Sequence, residues 1–386
     1  MRPALWVAAA LTLAATSAGA QDSIKVGVIA PFSGPFADYG REIEAGIKAY
    51  MKRSGDTVAG KKVELVIRDT TGPAPDVAKR LAQELVVREK VDFLAGFGLT
   101  PEALAVADIA TEAKKPMIVM NAASSVVTTR SPYIVRFSMT LPQVSAPVAA
   151  WAARNGIHKV FTLVSDYAPG IDSEGAFKKA FAAAGGQVVD SIRVPLRNPE
   201  FAPFIQRIKD ARPQAVFVFV PAGEQGIAFM KAFQERGLAA AGIKVIATGD
   251  ITDDHVIDAM GDVALGMVTS FHYSAAHDSA ENRAFLEAYQ AVSGSLGRAN
   301  FMAVAGYDGM AAIYHVAQAL GGRIDGDKAV ALLKGWKRES PRGPIAIDPE
   351  TRDIVQTVYL RRVEKRDGHY YNVEFEKVPE VKDPGK

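Results

Sequence analysis

The stretch IKVGVIAPFSGPFADYG, residues 24–40, decides the fold of this chain. Its first seven residues are mostly apolar and β-branched, and they have the length of a buried strand. The next ten combine Pro, Ser and Gly with the aromatic residue Tyr39, which is typical of a loop that leads into a helix. The stretch therefore predicts the first strand–loop–helix unit of an α/β protein.

The twenty residues before this unit have the pattern of a secretory signal peptide. A positive start at Arg2 is followed by an apolar run at 5–15 and by small residues at 18–20. The apolar run is too short to span a membrane. We expect cleavage after Ala20 and a periplasmic protein. Because the chain has no cysteine, we expect no lipid anchor.

Charge and composition exclude several classes of protein. The chain has 45 Lys and Arg residues against 43 Asp and Glu residues, so it lacks the excess of basic residues that nucleic-acid binding requires. The absence of cysteine excludes thiol catalysis and a disulfide framework. We expect no nucleic-acid partner, no association with anionic lipid, and a monomer.

Short apolar runs alternate with amphipathic stretches of ten or more residues as far as residue 271. This alternation predicts mostly parallel sheets with helices on both faces. The chain is longer than the roughly 250–300 residues that one core supports, so we expect two lobes. A proline-containing loop at 137–143 separates two strand–helix series.

The last third of the chain has a different pattern, with three helical stretches followed by a hairpin-like segment at 355–375. We expect the helices to complete the first lobe and the hairpin to return to the second, which requires several crossings at a hinge. The predicted organisation is lobe 1 at 21–138 and 271–348, lobe 2 at 139–270 and 349–378, and a C-terminal tail at 379–386.

Open parallel sheets bind ligands at the carboxyl ends of their strands, so the loops there are candidate sites. The first such loop carries Ser33 and Tyr39 at the start of a helix, where backbone amides suit an anion. An ordinary strand-to-helix turn is an equal alternative. In the second loop, Phe97 precedes Thr100, which either caps its helix or holds a carboxylate.

Two further groups of loops complete the candidate site. The third loop of the first series contains small and polar residues that leave space and offer donors, namely Asn121, Ala122, Ala123 and Ser124. The second series contributes Asp166, Tyr167, Ala222, Gly223 and Asp250. Asp250 can meet a cation or a hydroxyl donor, although a solvated or capping aspartate explains it as well.

Enzyme signatures are missing from the sequence. The segment Gly96-Phe97-Gly98 lacks the third glycine of a dinucleotide fingerprint, and no phosphate-binding loop or nucleophile elbow is present. The six histidines have no recognised metal spacing. We predict neither a cofactor nor a metal site, and no catalytic residue.

The order of these motifs resembles that of ABC-transporter solute-binding proteins in the branched-chain amino-acid (Leu/Ile/Val) receptor family. The matching segments are 26–40, 63–69, 91–96, 116–125 and Tyr307-Asp308-Gly309. The resemblance implies a two-lobed periplasmic-binding-protein type I fold that closes on a small solute. It also implies an ABC permease in the inner membrane as the partner.

The resemblance also implies roles for individual residues. Thr100 and Ser124 would hold a ligand carboxylate, with the Ala122 carbonyl close by. Tyr39 and Tyr167 would line the cleft from opposite lobes. Asp250 would pair with a ligand ammonium group, and Phe301 would contact the ligand side chain.

The chain departs from the family pattern at two places, and these departures leave the ligand open. Gly98-Leu99-Thr100 stands where amino-acid binders have a serine-rich stretch, and Ala222-Gly223 stands where an aromatic residue of the second lobe is expected. Some similar receptors bind aromatic acids of the benzoate or cinnamate type. The ligand is therefore expected to be either a hydrophobic amino acid or an aromatic acid.

Two other functions remain open at this point. A secreted hydrolase would need paired carboxylates in the cleft, but the candidate loops offer mainly Asp166 and Asp250 from one lobe. An extracytoplasmic sensor would use the same lobes to regulate a partner. The sequence favours transport over both.

Overall fold

The computed structural model describes residues 23–386, so the expected signal peptide at 1–20 lies outside the described residues. The chain begins with a strand–helix series that ends at residue 136. Its elements are β1 Ser23–Ala30, α1 Ala37–Ser54, β2 Thr57–Val58, β3 Lys61–Asp69, α2 Pro75–Val87, β4 Phe93–Gly96, α3 Thr100–Glu112, β5 Met117–Val119 and β6 Ile134–Arg136.

A second strand–helix series follows. Its elements are α4 Leu141–Arg154, β7 Lys159–Ser165, α5 Ala168–Ala183, β8 Gln187–Val194, α6 Ala202–Ala211, β9 Ala215–Phe219, α7 Glu224–Glu235, β10 Lys244–Thr248, α8 Ile257–Met260 and β11 Val268–Phe271. The chain ends with α9 Ala280–Gln290, α10 Phe301–Ala319, α11 Gly326–Leu333, β12 Lys337–Ser340, β13 Gly343–Ile347, β14 Ile354–Arg366 and β15 His369–Val381.

The strands form two sheets, which define the two lobes. In lobe 1 the order is β2-β3-β1-β4-β5-β6, and all pairs are parallel except β2 with β3. In lobe 2 the order is β12-β13-β14-β11-β10-β9-β7-β8, with β15 paired to β14. The strands from β7 to β11 are parallel, and the strands from β12 to β15 add antiparallel pairs at one side. The two-lobed α/β prediction is confirmed.

The strand pair at 337–347 does not lie in the lobe expected for it. The sequence pattern predicts that 271–348 belongs to lobe 1, and helices α9 and α10 do pack there, against α1. Strands β12 and β13, however, lie in the sheet of lobe 2. The reason is that β13 pairs antiparallel with β14, with Ala346 opposite Val355, a partner choice that the local pattern cannot reveal.

Helices α1 and α10 pack closely because glycines stand at their contact. A Cβ atom on Gly46 would lie 1.9 Å from the Ala303 carbonyl oxygen, and one on Gly306 would lie 2.4 Å from the Ile43 carbonyl oxygen. Backbone therefore touches backbone at this crossing. The contact fixes α1, and with it Tyr39 in the first turn of that helix.

Two buried ion pairs hold the hinge. Arg342 contacts Asp308 at 2.9 Å, and both side chains are fully buried. Arg342 also donates to the carbonyl oxygens of Phe137 and Ser138, where the chain first crosses between the lobes. Arg136 contacts Asp353 at 3.0 Å beside the same crossing.

The C-terminal residues pack against the hinge. The expected tail at 379–386 begins inside β15, which continues to Val381. Asp383 then accepts hydrogen bonds from Ser125 Oγ at 3.0 Å and from Thr140 Oγ1 at 2.9 Å. The end of the chain therefore joins a loop of lobe 1 to the start of α4.

Adding one methyl group tests the helix contact. Gly46→Ala is expected to lower the free energy of unfolding by about 1–3 kcal/mol or more, because backbone atoms must move apart. Gly175→Ala on the exposed side of α5 is the control, since nothing lies within 4 Å of its Cβ position. It should stabilise the protein by roughly 0.5–1 kcal/mol. Urea unfolding measures both, and equal stability of the two variants would contradict the packing argument.

Candidate functional site

A cavity lies between the lobes at the carboxyl ends of the parallel strands. Its volume is about 20 Å³, which is room for about one water molecule, so the lobes must separate to admit a larger ligand. Loops after β4 and β5 form its lobe 1 wall, and loops after β7, β9 and β10 form its lobe 2 wall. This is the position at which open parallel sheets bind small molecules.

Half of the residues expected at a ligand site line this cavity. They come from both lobes, as the two-lobed interpretation requires: Tyr39, Thr100, Asn121, Ala122, Ala123, Tyr167 and Asp250. Their convergence follows from the parallel sheets, which bring the ends of separate strands to one edge.

Four of the expected residues belong to lobe 1 or its core and lie away from the cavity lining. Ser33 is exposed and donates to Asp69 at 2.7 Å. Phe97 is fully buried in the core between the sheet and α3. Phe301 packs edge-on against Phe271, with ring centroids 4.8 Å apart. Ser124 contacts the opposite lobe, as described below.

The other three expected residues off the cavity lining are in lobe 2. The Asp166 side chain is exposed to solvent. Ala222 and Gly223 border a more open polar groove between the lobes, next to the cavity. Ala222 still reaches the site indirectly, because its carbonyl oxygen accepts a hydrogen bond from the Tyr39 hydroxyl at 3.3 Å.

Seven lining residues were absent from the sequence prediction: Gly98, Leu99, Met139, Leu141, Pro169, Phe219 and Pro221. Phe219 matters most, because its ring stacks on Tyr167 with centroids 6.1 Å apart and an interplanar angle of 18°. Lobe 2 therefore does have a second aromatic residue at the cavity. It stands at the end of β9, three residues before the position at which the family pattern places it.

The lobe 1 wall offers a free hydroxyl donor, Thr100, and the acidic side chain two residues after it in α3 is protonated near neutral pH. Thr100 begins α3, and its Oγ1 accepts from the Ser124 amide at 3.3 Å. Its hydroxyl hydrogen has no acceptor among residues 23–386, so it is available to a ligand. Behind it, burial raises the pKa of Glu102 to about 8, so this side chain carries a proton near neutral pH. The wall therefore does not repel an anion.

The sequence interpretation of Thr100 as a helix cap needs correction. Helix α3 includes Thr100, and the residue before it, Leu99, occupies the capping position. The Leu99 amide donates to the Glu102 carboxyl group at 3.2 Å. Because Glu102 satisfies the end of the helix, the Thr100 side chain is left to face the cavity.

Lobe 2 contributes one buried acid. Asp250 is 5% exposed and stands on the 3-10 turn Gly249–Thr252. Its Oδ2 atom accepts from the Thr248 hydroxyl at 2.7 Å. Burial raises the pKa of Asp250 to about 7, so the carboxyl group changes charge near neutral pH.

The cavity also contains neutral phenols and one unpaired amide oxygen. Burial raises the pKa of Tyr39 and of Tyr167 far above the ordinary tyrosine value, so both remain protonated. Asn121 donates to the Gly98 carbonyl oxygen at 2.7 Å, while its buried Oδ1 has no partner among the described residues. An acceptor of this kind suits a hydroxyl group on a ligand.

Ser124 and Ser125 join the lobes at the edge of the cavity. Ser124 Oγ donates to Asp172 at 2.6 Å, and the Ser125 amide donates to the same oxygen at 3.0 Å. Asp172 belongs to α5 of lobe 2. Ser124, which the resemblance assigned to a ligand carboxylate together with Thr100, thus holds a protein carboxylate instead.

An acidic cluster around His255 forms another contact between the lobes. His255 of lobe 2 lies 3.2 Å from Glu42 and 3.7 Å from Asp38, both on α1. Asp253 accepts from Asn300 of lobe 1 at 3.0 Å. Burial raises the pKa of Glu42 well above its ordinary value and that of Asp253 to about 6. Both carboxyl groups therefore hold a proton at a higher pH than an exposed carboxyl group would.

No described helix is long and apolar enough to cross a membrane. Within residues 23–386, no three side chains of metal-ligating type converge on one point. The chemistry that this part of the chain presents is hydrogen bonding and aromatic packing around an enclosed cavity.

Comparison with known proteins decides the family. The pattern of the periplasmic binding protein family matches residues 23–368. The chain belongs to this family. Members of the family and the solved relatives below are solute-binding proteins. The Leu/Ile/Val-binding protein homolog 6 of Brucella melitensis is 49% identical over 383 residues, which is 99% of this chain and 98% of that protein.

Two solved structures are similar over nearly the whole chain. One is an ABC-transporter solute-binding protein of Rhodopseudomonas palustris BisB5 in complex with 3,4-dihydroxybenzoic acid. It has 57% identity, a TM-score of 0.91, and coverage of 95% of this chain and 99% of its own. The other, from R. palustris HaA2, is in complex with p-hydroxybenzoic acid. It has 48% identity, a TM-score of 0.92, and coverage of 94% and 99%.

Removing the Asp172 carboxylate tests the contact between the lobes. Asp172→Ala should speed amide hydrogen exchange at Ser125 by about tenfold, because a hydrogen bond to a charged group contributes roughly 1.5 kcal/mol. Asp166→Ala removes a nearby exposed carboxylate and is the matched control, with no change expected. Equal exchange at Ser125 in both variants would show that the lobes are not joined there.

Proposed function

We propose that this protein is the extracytoplasmic receptor of an ABC importer and captures hydroxybenzoate-type aromatic acids between its lobes. The observation that carries the proposal is the composition of the cavity. The cavity is lined by the rings of Tyr39, Tyr167 and Phe219, together with the Thr100 hydroxyl of lobe 1 and one buried acid of lobe 2, Asp250. A flat ring with a carboxylate at one end and a hydroxyl group at the other matches this arrangement.

The proposed pose places the ligand carboxylate against lobe 1. A buried carboxylate must exchange its water for protein donors, and the Thr100 hydroxyl is free to supply one. The protonated Glu102 behind it adds no repulsion. The ring would then lie among the aromatic side chains, which favour stacked and edge-on contacts.

The opposite end of the ligand would meet lobe 2. Asp250 has accepted one hydrogen bond, from Thr248, and has lone pairs left for a ring hydroxyl group. Asn121 Oδ1 is a second free acceptor for a second hydroxyl group. The relatives with 57% and 48% identity bind a dihydroxybenzoate and a monohydroxybenzoate, which supports this assignment.

A hydrophobic amino acid is the second candidate ligand. Asp250 could pair with an ammonium group as well as with a hydroxyl group, and the B. melitensis relative is named after Leu/Ile/Val-binding proteins. In either case the mechanism is the same. A ligand that contacts both lobes favours the closed state by its differential affinity for that state, and the protein presents it to a permease without chemical change.

A ligand panel tests the proposal. Thermal unfolding is measured with benzoate, 4-hydroxybenzoate, 3,4-dihydroxybenzoate, leucine and phenylalanine. A true ligand at 100 times its dissociation constant should stabilise the protein by about 2.7 kcal/mol. We expect the two hydroxybenzoates to give the largest shifts. A response to leucine or phenylalanine alone would replace the aromatic-acid proposal with the amino-acid one.

Two variants connect the binding to the cavity. Thr100→Val keeps the side-chain shape but removes the hydroxyl donor, and should weaken 4-hydroxybenzoate binding by roughly tenfold or more. Ser33→Ala is the control, because Ser33 contacts Asp69 away from the cavity lining. Calorimetric titration measures both, and equal affinities would mean that the ligand carboxylate lies elsewhere.

A further inference from the structure

Arg361 is a buried cation without a contacting carboxylate among the described residues. It lies on β14 opposite Thr269 of β11 and is 1% exposed. Its Nε and Nη2 atoms donate to Thr269 Oγ1 at 3.3 and 3.2 Å, and its Nη1 atom donates to the Tyr273 carbonyl oxygen. All these acceptors are neutral. Because a buried charge normally has a charged partner, its balance must come from acids at longer range.

The guanidinium group lies directly beneath the turn that carries Asp250. Its Nη2 atom is 3.4 Å from the Gly249 carbonyl oxygen and 3.5 Å from Thr252 Oγ1, at the two ends of that turn. A Cβ atom on Gly249 would lie 2.2 Å from Nη2, so only glycine leaves room for this approach. Arg361 therefore contacts this turn through Gly249 and Thr252, whereas the Asp250 side chain of the same turn lines the cavity.

Four acids lie within the electrostatic range of Arg361: Asp254, Glu374, Asp250 and Asp253. Each of the four also has a close partner of its own, which for Asp250 is the Thr248 hydroxyl at 2.7 Å. Asp254 accepts from Asn372, Asp253 accepts from Asn300, and Glu374 contacts His277. Asp250 is the one that lines the cavity, where it can bind a ligand.

We propose that Arg361 is a specificity-determining residue that acts through Asp250. Its positive charge favours the ionised form of Asp250 in the closed site, and the ionised Asp250 accepts a hydrogen bond from the ring hydroxyl group of an aromatic acid. The inference rests on the proposed function. Hydrogen bonds to an ionised acceptor are about twice as strong as neutral ones, so the charge on Asp250 sets the preference for hydroxylated rings.

The charged and titratable groups around Asp250 agree with this assignment. Burial is the main cause that raises the pKa of Asp250 to about 7, and the hydrogen bond from Thr248 opposes it. The charge of Asp253 raises this pKa further, and the Arg361 charge lowers it. Tyr39 and Tyr167 face it from α1 and from the loop before α5, and both are neutral phenols. Without Arg361, the pKa of Asp250 would be higher, so a larger fraction of this acid would be protonated at neutral pH.

The measurement is a ratio of dissociation constants, benzoate over 4-hydroxybenzoate, from pH 5.5 to 8.5. The ratio cancels any titration of Glu42 and Asp253 that is common to the two ligands, because both are measured on the same protein. In the unchanged protein we expect it to rise roughly tenfold with pH as Asp250 ionises. A ratio that does not change with pH would overturn the proposal.

Variants assign the effect to Arg361. Arg361→Gln should lower the ratio of dissociation constants at pH 7.5 several-fold, and the midpoint of the rise of this ratio with pH should move to higher pH. Arg361→Lys keeps the positive charge and should retain most of the ratio. In an Asp250→Asn background, Arg361→Gln should leave the ratio unchanged. An equal drop in both backgrounds, or no drop in either, would show that Arg361 has only a structural role.

A second variant covers the case in which Arg361→Gln does not fold. Thr269→Val keeps the charge but removes the acceptor of two guanidinium nitrogens, so the guanidinium is held less firmly beneath the turn. It should lower the ratio by a smaller factor, and only when Asp250 is present. No change would overturn the proposal. Failure of both benzoates to bind any variant or the unchanged protein would instead contradict the proposed function.

Discussion

The buried ion pair between Arg342 and Asp308 fixes the place at which the two lobes are joined. Arg342 comes from the turn between β12 and β13 of lobe 2, and Asp308 from α10 of lobe 1. The same guanidinium group holds the first crossing strand through Phe137 and Ser138. Because breaking a buried pair costs about 3–5 kcal/mol, the hinge is anchored here while the lobes can move farther away. The cavity depends on that anchor.

The site needs both lobes because each supplies a different chemistry. Lobe 1 contributes neutral donors around Thr100, and lobe 2 contributes the acid Asp250 with the stacked pair of Tyr167 and Phe219. Contacts between the lobes, such as Ser124 with Asp172, lie beside the cavity. In the proposed complex, closure would place a ligand between the donor of lobe 1 and the acid of lobe 2, in a setting where hydrogen bonds are strong.

Much of this arrangement could be predicted from the sequence because it depends on local patterns. The strand and loop at 24–40 predict the first unit, and parallel strand ends bring Thr100 and Asp250 together. Features that depend on long-range pairing could not be predicted. The position of Arg361 beneath Asp250 follows from the register of β14 against β11, and the contact of Ser124 with Asp172 follows from the angle between the lobes.

A crystal structure of the complex with 4-hydroxybenzoate tests the proposed binding pose. We expect the ring in the cavity between the lobes, its carboxylate at the Thr100 hydroxyl and its phenolic oxygen at Asp250. A ligand bound with its carboxylate toward Asp250, or bound in the open groove between residues 35–36 and 196–201, would contradict it.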